Sequence, residues 1–190
     1  MKNSKGFTLV ELLAAVVILG ILTAFSLPSV IRVITNNRNK TYIQDAKKMV
    51  TLAESRIRSG NVVKLAKGDC MIITINGLKS GEFKKAPNGG EYDKNESFVL
   101  VKRTSNNTSE NMPTYEYYVY LVEKYGNNSY RGIDLQKIDN DADINNEINI
   151  TDFSKTSKFT SGIDSGFSTL NSQLGSSIGS CIRSNDYIIK

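Results

Sequence analysis

Histidine and tryptophan are absent from the 190 residues of this chain, and cysteine occurs only twice. Without histidine, neither a Ser-His-Asp nor a Cys-His catalytic centre can form, and metal sites that depend on imidazole ligands are excluded. The sequence also has no glycine-rich phosphate loop, no Cys-x-x-Cys pair and no convincing pair of acids for hydrolysis. We therefore expect a protein that is not an enzyme and that holds no cofactor.

The net charge is only mildly basic, at a formal +5. Removing the first six residues would delete Lys2 and Lys5 and leave +3, since 5 − 2 = 3. The Lys and Arg residues are scattered, which favours a role in solubility over a nucleic-acid footprint. The densest basic region runs from Arg32 to Arg58. We interpret it as the solvated or lipid-headgroup side of a helix just outside a membrane.

Charge is almost missing from the long apolar run between Phe7 and Leu27, where Glu11 is the one acid. A helix of this length is roughly 30 Å long, which is enough to cross a bilayer core. A carboxylate inside a membrane span costs about 2.5 kcal/mol or more, and such residues are usually functional. Glu11 therefore requires an explanation.

A cut after Gly6 would explain both Glu11 and the short basic leader. Phe7 would then become a new N-terminus with a positive α-amine. Processed chains could pack side by side with Glu11 of one chain facing the amine of its neighbour. Each charge is costly alone in an apolar bundle, and the pair would neutralise each other.

These residues resemble the class III signal peptide of type IV pilins and of the related pseudopilins. The resemblance implies that a prepilin peptidase cleaves between Gly6 and Phe7 and methylates the amine of Phe7. It implies that Glu11 acts in assembly and that Pro28 kinks the helix at the far end of the span. The abundance of Asn, Lys and Ile adds the expectation of a low-GC, Gram-positive-like bacterial source.

Two simpler interpretations of the N-terminus were compared with this one. An ordinary secretory signal has a shorter apolar core followed by a small-residue cleavage site, which this sequence lacks. A plain one-pass anchor fits better, because Lys2 and Lys5 would keep the N-terminus inside by the positive-inside rule. That alternative leaves Glu11 unexplained, so the pilin-like interpretation is preferred.

The apolar residues beyond Pro28 recur at spacings of three and four, which predicts an amphipathic helix. Ser59-Gly60-Asn61 is a stop signal, and Arg58 suits the negative end of the helix dipole. One helix is thus predicted from about Thr8 to Arg58, bent or loosened at Pro28. The spaced apolar residues are Ile31, Ile34, Tyr42, Ala46, Met49, Val50, Ala53 and Ile57.

Three segments alternate in the manner of β-strands and, with a buried strand at Met71–Ile75, predict an antiparallel sheet of three or four strands. The tyrosine-rich segment is expected at the centre of the sheet. Gly126–Asn128 is expected to form a hairpin turn and Thr104–Asn111 an exposed loop. The three segments are Ser97–Lys102, Tyr115–Val122 and Tyr130–Asp134.

The predicted fold class is α+β: a long N-terminal helix, membrane-spanning and then amphipathic, packed on a small antiparallel sheet. This is the fold that the pilin resemblance implies. We divide the chain into a leader (1–6), a membrane-spanning or filament-core helix (7–28), the amphipathic half of the stem (29–59) and a β-rich head (60–190).

Cys70 and Cys181 are expected to form a disulfide, because an exported domain lies where disulfides persist. The alternative is a pair of free buried thiols. Residues 154–180 are rich in Ser, Thr and Gly and predict either a loop or a short helix. Residues 180–190 end in Tyr-Ile-Ile, which suggests a last edge strand.

Calcium is a weak candidate ligand for the acidic segment after residue 138. Oxygen-bearing side chains occupy alternate positions there, as in the first half of a calcium loop. Ile144 and Ile150 stand where the EF-hand pattern requires Gly and Glu. A solvated acidic loop is therefore preferred. The candidate ligands are Asp139, Asp141, Asp143, Asn145 and Glu147.

The function expected from these features is a structural subunit, major or minor, of a type IV pilus. Its partners would be other pilin subunits, the prepilin peptidase, the assembly platform and the membrane, with a host-surface or DNA ligand unknown. It would span the cytoplasmic membrane once and then become part of a surface filament. The alternatives are a pseudopilin of a type II secretion or DNA-uptake system, and a monomeric membrane-anchored binding protein.

Overall fold

The computed structural model describes residues 6–60, 64–78, 81–83, 85–106, 113–126, 129–138, 148–153 and 181–183. The chain separates into two compact units, residues 1–38 and residues 39–190. The first unit consists of the apolar part of one helix. The second unit contains the rest of that helix and every strand that the structure describes.

Helix α1 extends from Leu9 to Arg58, which agrees with the sequence-based prediction. It ends where Gly60 adopts a φ of 71°, a left-handed conformation that favours glycine and commonly terminates helices. Pro28 lies inside the helix without interrupting it. The kink predicted at Pro28 stays a prediction.

In the first unit the apolar side chains of α1 are exposed. Phe7 is 87% exposed, and the large apolar residues from Leu9 to Ile34 are also exposed. By length and composition, α1 is long and apolar enough to cross a membrane, and it is the one such helix among the described residues. An apolar surface of this extent indicates a membrane or partner helices as its environment.

In the second unit α1 packs one face against the β-sheet. Its buried residues recur every three or four positions, so they form one stripe along the helix. The sheet contributes residues such as Met71, Val99 and Leu121 to the same core. The buried helix residues are Tyr42, Ile43, Ala46, Met49, Val50 and Ala53.

Within the described residues the sheet has seven strands, which is more than the three or four predicted. Its order is β6-β5-β4-β3-β1-β7, and β2 pairs with β4. Every pair is antiparallel except β1–β7, which is parallel. The strands are β1 (Cys70–Thr74), β2 (Glu91–Tyr92), β3 (Phe98–Asn106), β4 (Pro113–Tyr125), β5 (Ser129–Lys137), β6 (Ile150–Phe153) and β7 (Ile182–Arg183); a short helix α2 (Ile75–Leu78) follows β1.

The predicted strands correspond to β1, β3, β4 and β5, and the tyrosine-rich β4 lies between β3 and β5 as expected. The strands β2 and β6, which were not predicted, have two and four residues, too short to show alternation; β7 lies within residues 180–190, where a last edge strand was expected. The loop predicted at Thr104–Asn111 is partly wrong, because β3 continues to Asn106 and pairs there with the start of β4. Residues 154–180 and the Tyr-Ile-Ile end lie outside the described residues.

The second face of the sheet is buried as well. It carries a separate apolar cluster that includes Phe98, Leu100 and Tyr120 together with Cys70 and Cys181. The rings of Phe98 and Tyr120 lie 5.5 Å apart. Burial on both faces explains why β1 and the middle of β4 are apolar without alternation.

Candidate functional site

Thr8 and Glu11 form a reciprocal cap at the N-terminus of α1. The backbone N–H of Thr8 donates to Glu11 Oε2 over 2.9 Å, and the Thr8 hydroxyl donates to the same oxygen over 2.9 Å. The backbone N–H of Glu11 reaches Thr8 Oγ1 at 3.3 Å. Thr8 is thus the residue before the first helical turn and Glu11 lies three positions later, which is the arrangement of a capping box.

This cap provides a role for Glu11 within its own chain. It satisfies backbone N–H groups that a helix start leaves unpaired, and it places a negative charge at the positive end of the helix dipole. This interaction was not predicted from the sequence, which suggested only a partner for Glu11 in a neighbouring chain. The signal was present in the sequence, since Thr8-Leu9-Val10-Glu11 has the Ser/Thr-x-x-Glu pattern.

Gly6 and Phe7 precede the cap and are both exposed. A Cβ added to Gly6 would meet no atom within 4 Å. The fold therefore does not require glycine at this position. A requirement for glycine there would come from a partner that recognises the segment, such as a peptidase.

Hydroxyl groups within the apolar segment bond to the backbone of the preceding turn. Thr23 donates to the carbonyl of Leu19 over 2.7 Å, and Ser26 donates to that of Leu22 over 2.8 Å. Ser29, just after Pro28, donates to the carbonyl of Ser26. These bonds remove the cost of unpaired hydroxyls in an apolar environment.

A buried carboxylate connects the second part of α1 to the sheet. Glu123 on β4 is fully buried and accepts a hydrogen bond from the hydroxyl of Tyr42 on α1. The backbone N–H groups of Asn88 and Gly90 also donate to it, over 3.1 and 2.9 Å. Gly90 has no room for a side chain, because a Cβ there would lie 2.1 Å from the carbonyl oxygen of Lys124.

A second, part-buried contact lies beside this one, where the Tyr92 hydroxyl donates to Asp45 Oδ2 over 2.6 Å. Burial raises the pKa of Tyr92, and the hydrogen bond to Asp45 raises it further. Burial also raises the pKa of Tyr42, and its bond to Glu123 acts in the same direction. Both tyrosines therefore stay neutral donors at physiological pH.

Cys70 and Cys181 are joined in a disulfide, with their Cα atoms 4.8 Å apart. Cys70 begins β1 and Cys181 directly precedes β7, so the bond lies beside the parallel β1–β7 pair. It holds the last described strand against the first one.

The candidate calcium ligands at residues 139–147 lie outside the described residues. Within the part of the chain that the structure describes, no group of three or more acidic or cysteine side chains is arranged to hold a metal ion. Calcium binding therefore remains a prediction from the sequence.

Residues 1–27 match the family model described as Prokaryotic N-terminal methylation motif. The match covers the leader, Gly6, Phe7, the Thr8–Glu11 cap and the apolar run to Leu27. No curated protein and no solved structure matches the chain. The N-terminus therefore carries the type IV prepilin-like signal, and this signal supports a pilin- or pseudopilin-like exported protein. The predicted Gram-positive-like source gains no support from the match.

Proposed function

We propose that this protein is a structural subunit of a type IV pilus. The observation that carries the proposal is the prepilin-like signal at residues 1–27, which includes the first part of the exposed apolar helix. In this proposal a prepilin peptidase cuts between Gly6 and Phe7 and methylates the new amine. The chain has no enzymatic role of its own.

Assembly would proceed by moving the apolar part of α1 from the bilayer into a bundle of like helices. The exposed side chains between Leu9 and Ile34 supply the apolar surface for both environments. Helices in a membrane gain little from hydrophobic association, so close packing and polar contacts decide whether they join. Glu11 would supply such a contact by binding the α-amine of a neighbour's Phe7.

The partners in this proposal are other pilin subunits, the peptidase and the assembly platform in the membrane. Before assembly the chain would be anchored in the cytoplasmic membrane with the second unit outside. After assembly it would belong to the surface filament. The disulfide agrees with this location, because disulfides persist in exported proteins.

The test is intact-protein mass spectrometry of the full chain, expressed with and without a prepilin peptidase. We expect the enzyme to remove Met1–Gly6 and add one methyl group to the Phe7 amine. Gly6→Val is the matched control, because it should block cleavage without disturbing a fold that makes no contact at this position. An uncut wild-type chain beside an active peptidase would refute the proposal and leave a membrane-anchored domain.

A further inference from the structure

Between Glu11 and the end of the first unit at Arg38, the only charged side chains of α1 are positive. No acidic residue lies between Glu11 and Asp45, and no basic residue lies between Lys5 and Arg32. Arg32 and Arg38 are both exposed, and neither has an ion-pair partner among the described residues. These two guanidinium groups follow the apolar run directly.

The apolar surface of the helix is longer than a hydrocarbon core requires. About 20 residues span that core, so a span that begins at Phe7 is complete near Ser26. Excess apolar length is accommodated by tilt, or by seating the extra turns where acyl chains meet headgroups. The large apolar residues beyond the span, each between 44% and 61% exposed, are Leu27, Val30, Ile31, Val33 and Ile34.

Helical geometry positions the two arginines differently relative to this excess apolar surface, and both positions suit the lipid boundary. Val30 and Ile34 each lie roughly 160° around the helix from Arg32, so Arg32 is on the opposite side. Arg38 follows Ile34 by one turn, about 6 Å further along the axis. Long basic side chains in such positions extend to the headgroups while their stems cover apolar surface.

We propose that Arg32 and Arg38 bind the phosphates of anionic phospholipids at the outer surface of the membrane and so set the depth of α1 before assembly. A second copy of the chain is a poorer partner, since parallel neighbours offer no carboxylate between residues 12 and 44. By the positive-inside rule, basic residues at the exported end of a span also disfavour the orientation that places this end outside the membrane. An anionic headgroup provides the favourable environment that they otherwise lack there. This inference relies on the proposed function only for the membrane insertion of α1.

The test uses the full chain reconstituted in nanodiscs with equal amounts of phosphatidylglycerol and phosphatidylcholine. Native mass spectrometry then counts the two lipids released with the protein. We expect enrichment of phosphatidylglycerol, on the order of five-fold per arginine at low salt, and a decrease of this enrichment as salt rises. The double variant R32Q/R38Q should release the two lipids in their bulk ratio.

The matched control is K67Q/K85Q, which removes two exposed positive charges from the second unit and should keep the enrichment. The inference is overturned if the wild type shows no preference, if R32Q/R38Q retains it, or if the control abolishes it. The cleavage assay is independent of these outcomes. An uncut chain that still selects phosphatidylglycerol would refute the pilus subunit and keep the lipid site, and a cleaved chain without selection would do the reverse.

Discussion

Glu11 has two uses that a single substitution can separate. Its carboxylate closes the cap with Thr8, which needs only a hydrogen-bond acceptor. Pairing with a neighbour's amine would need a negative charge. Glutamine at this position of a capping box still accepts the bond but carries no charge.

We predict that Glu11→Gln is cleaved normally and yet assembles poorly, because the cap survives and the charge is lost. In Thr8→Val the cap is lost and the charge is kept. The loss of the cap should weaken the start of the helix by about 1 kcal/mol, while Glu11 keeps its negative charge. Cleavage is measured by intact mass, and assembly by the amount of filament sheared from cells. Normal filaments from Glu11→Gln would show that the cap alone explains the acid.

Glu123 accepts hydrogen bonds from α1 and from the turn before β2, so its substitution should destabilise the second unit. We predict that Glu123→Gln lowers the free energy of unfolding by about 2–4 kcal/mol. The substitution replaces one carboxylate oxygen with an N–H₂ group, which cannot accept the hydrogen bonds that the surrounding hydroxyl and N–H groups donate. The full chain in detergent is unfolded with urea and followed by circular dichroism. Glu116→Gln is the control on the same strand, because its partner Lys137 is solvent-accessible and the pair contributes at most about 1 kcal/mol. Equal losses in the two variants would contradict the prediction.

At this scale the sequence predicts the positions that match a pattern and misses those that depend on the fold. Glu11 is conspicuous because it interrupts an apolar run. Glu123 is one of many acids, and its partners Asn88 and Gly90 are more than thirty residues away. Such an interaction becomes visible only when β4 and the turn before β2 are brought together.

At the scale of the element, helix α1 presents two surfaces with different environments. Residues up to Ile34 are exposed, and continuous burial against the sheet begins at Tyr42. The periodicity from Ile31 to Ile57 predicted one stripe. Its first two members, Ile31 and Ile34, do not belong to the buried core, because periodicity records apolar spacing and not which partner covers it.

A pair of matched truncations tests this division of the helix. Met49→Ala should lower the free energy of unfolding by about 2–5 kcal/mol, because it leaves a cavity in the core. Leu19→Ala removes an apolar side chain of similar size from an exposed position and should leave that value unchanged. The measurement is urea unfolding of both variants in detergent. Comparable destabilisation by the two changes would show that the first part of α1 also belongs to the folded core.

Strand lengths explain which elements of the sheet were predictable. The strands β3, β4 and β5 have nine or more residues, long enough to show their pattern. The two-residue strands β2 and β7 are too short to show an alternating pattern, and their positions are fixed by pairing with β4 and β1. Short strands of this kind are set by tertiary contacts rather than by local preference.

At the scale of the whole molecule, the disulfide constrains a large part of the chain, since its two cysteines are 111 residues apart. The chain-entropy model gives a stabilisation of roughly 4–5 kcal/mol for a loop of this size. We predict that Cys70→Ser with Cys181→Ser lowers the unfolding free energy by up to this amount. Urea titrations with and without reductant provide the measurement.

The reductant also supplies the control for this prediction. It should shift the wild type to the curve of the double variant, and it should leave the double variant itself unchanged. A wild type whose unfolding stays the same after its thiols are fully reduced would contradict the stabilising role of the bond.

The same bond has a mechanical consequence. If the chain is pulled from its two ends, the force crosses from Cys70 to Cys181 through the sulfur atoms, and the polypeptide between them is not stretched. That segment, with its two cysteines 111 positions apart, would otherwise extend by about 370–400 Å when unfolded by force. Even if the sheet unfolds under tension, the residues in the loop closed by Cys70 and Cys181 cannot be extended. The molecule then lengthens only by extension of the residues outside this loop.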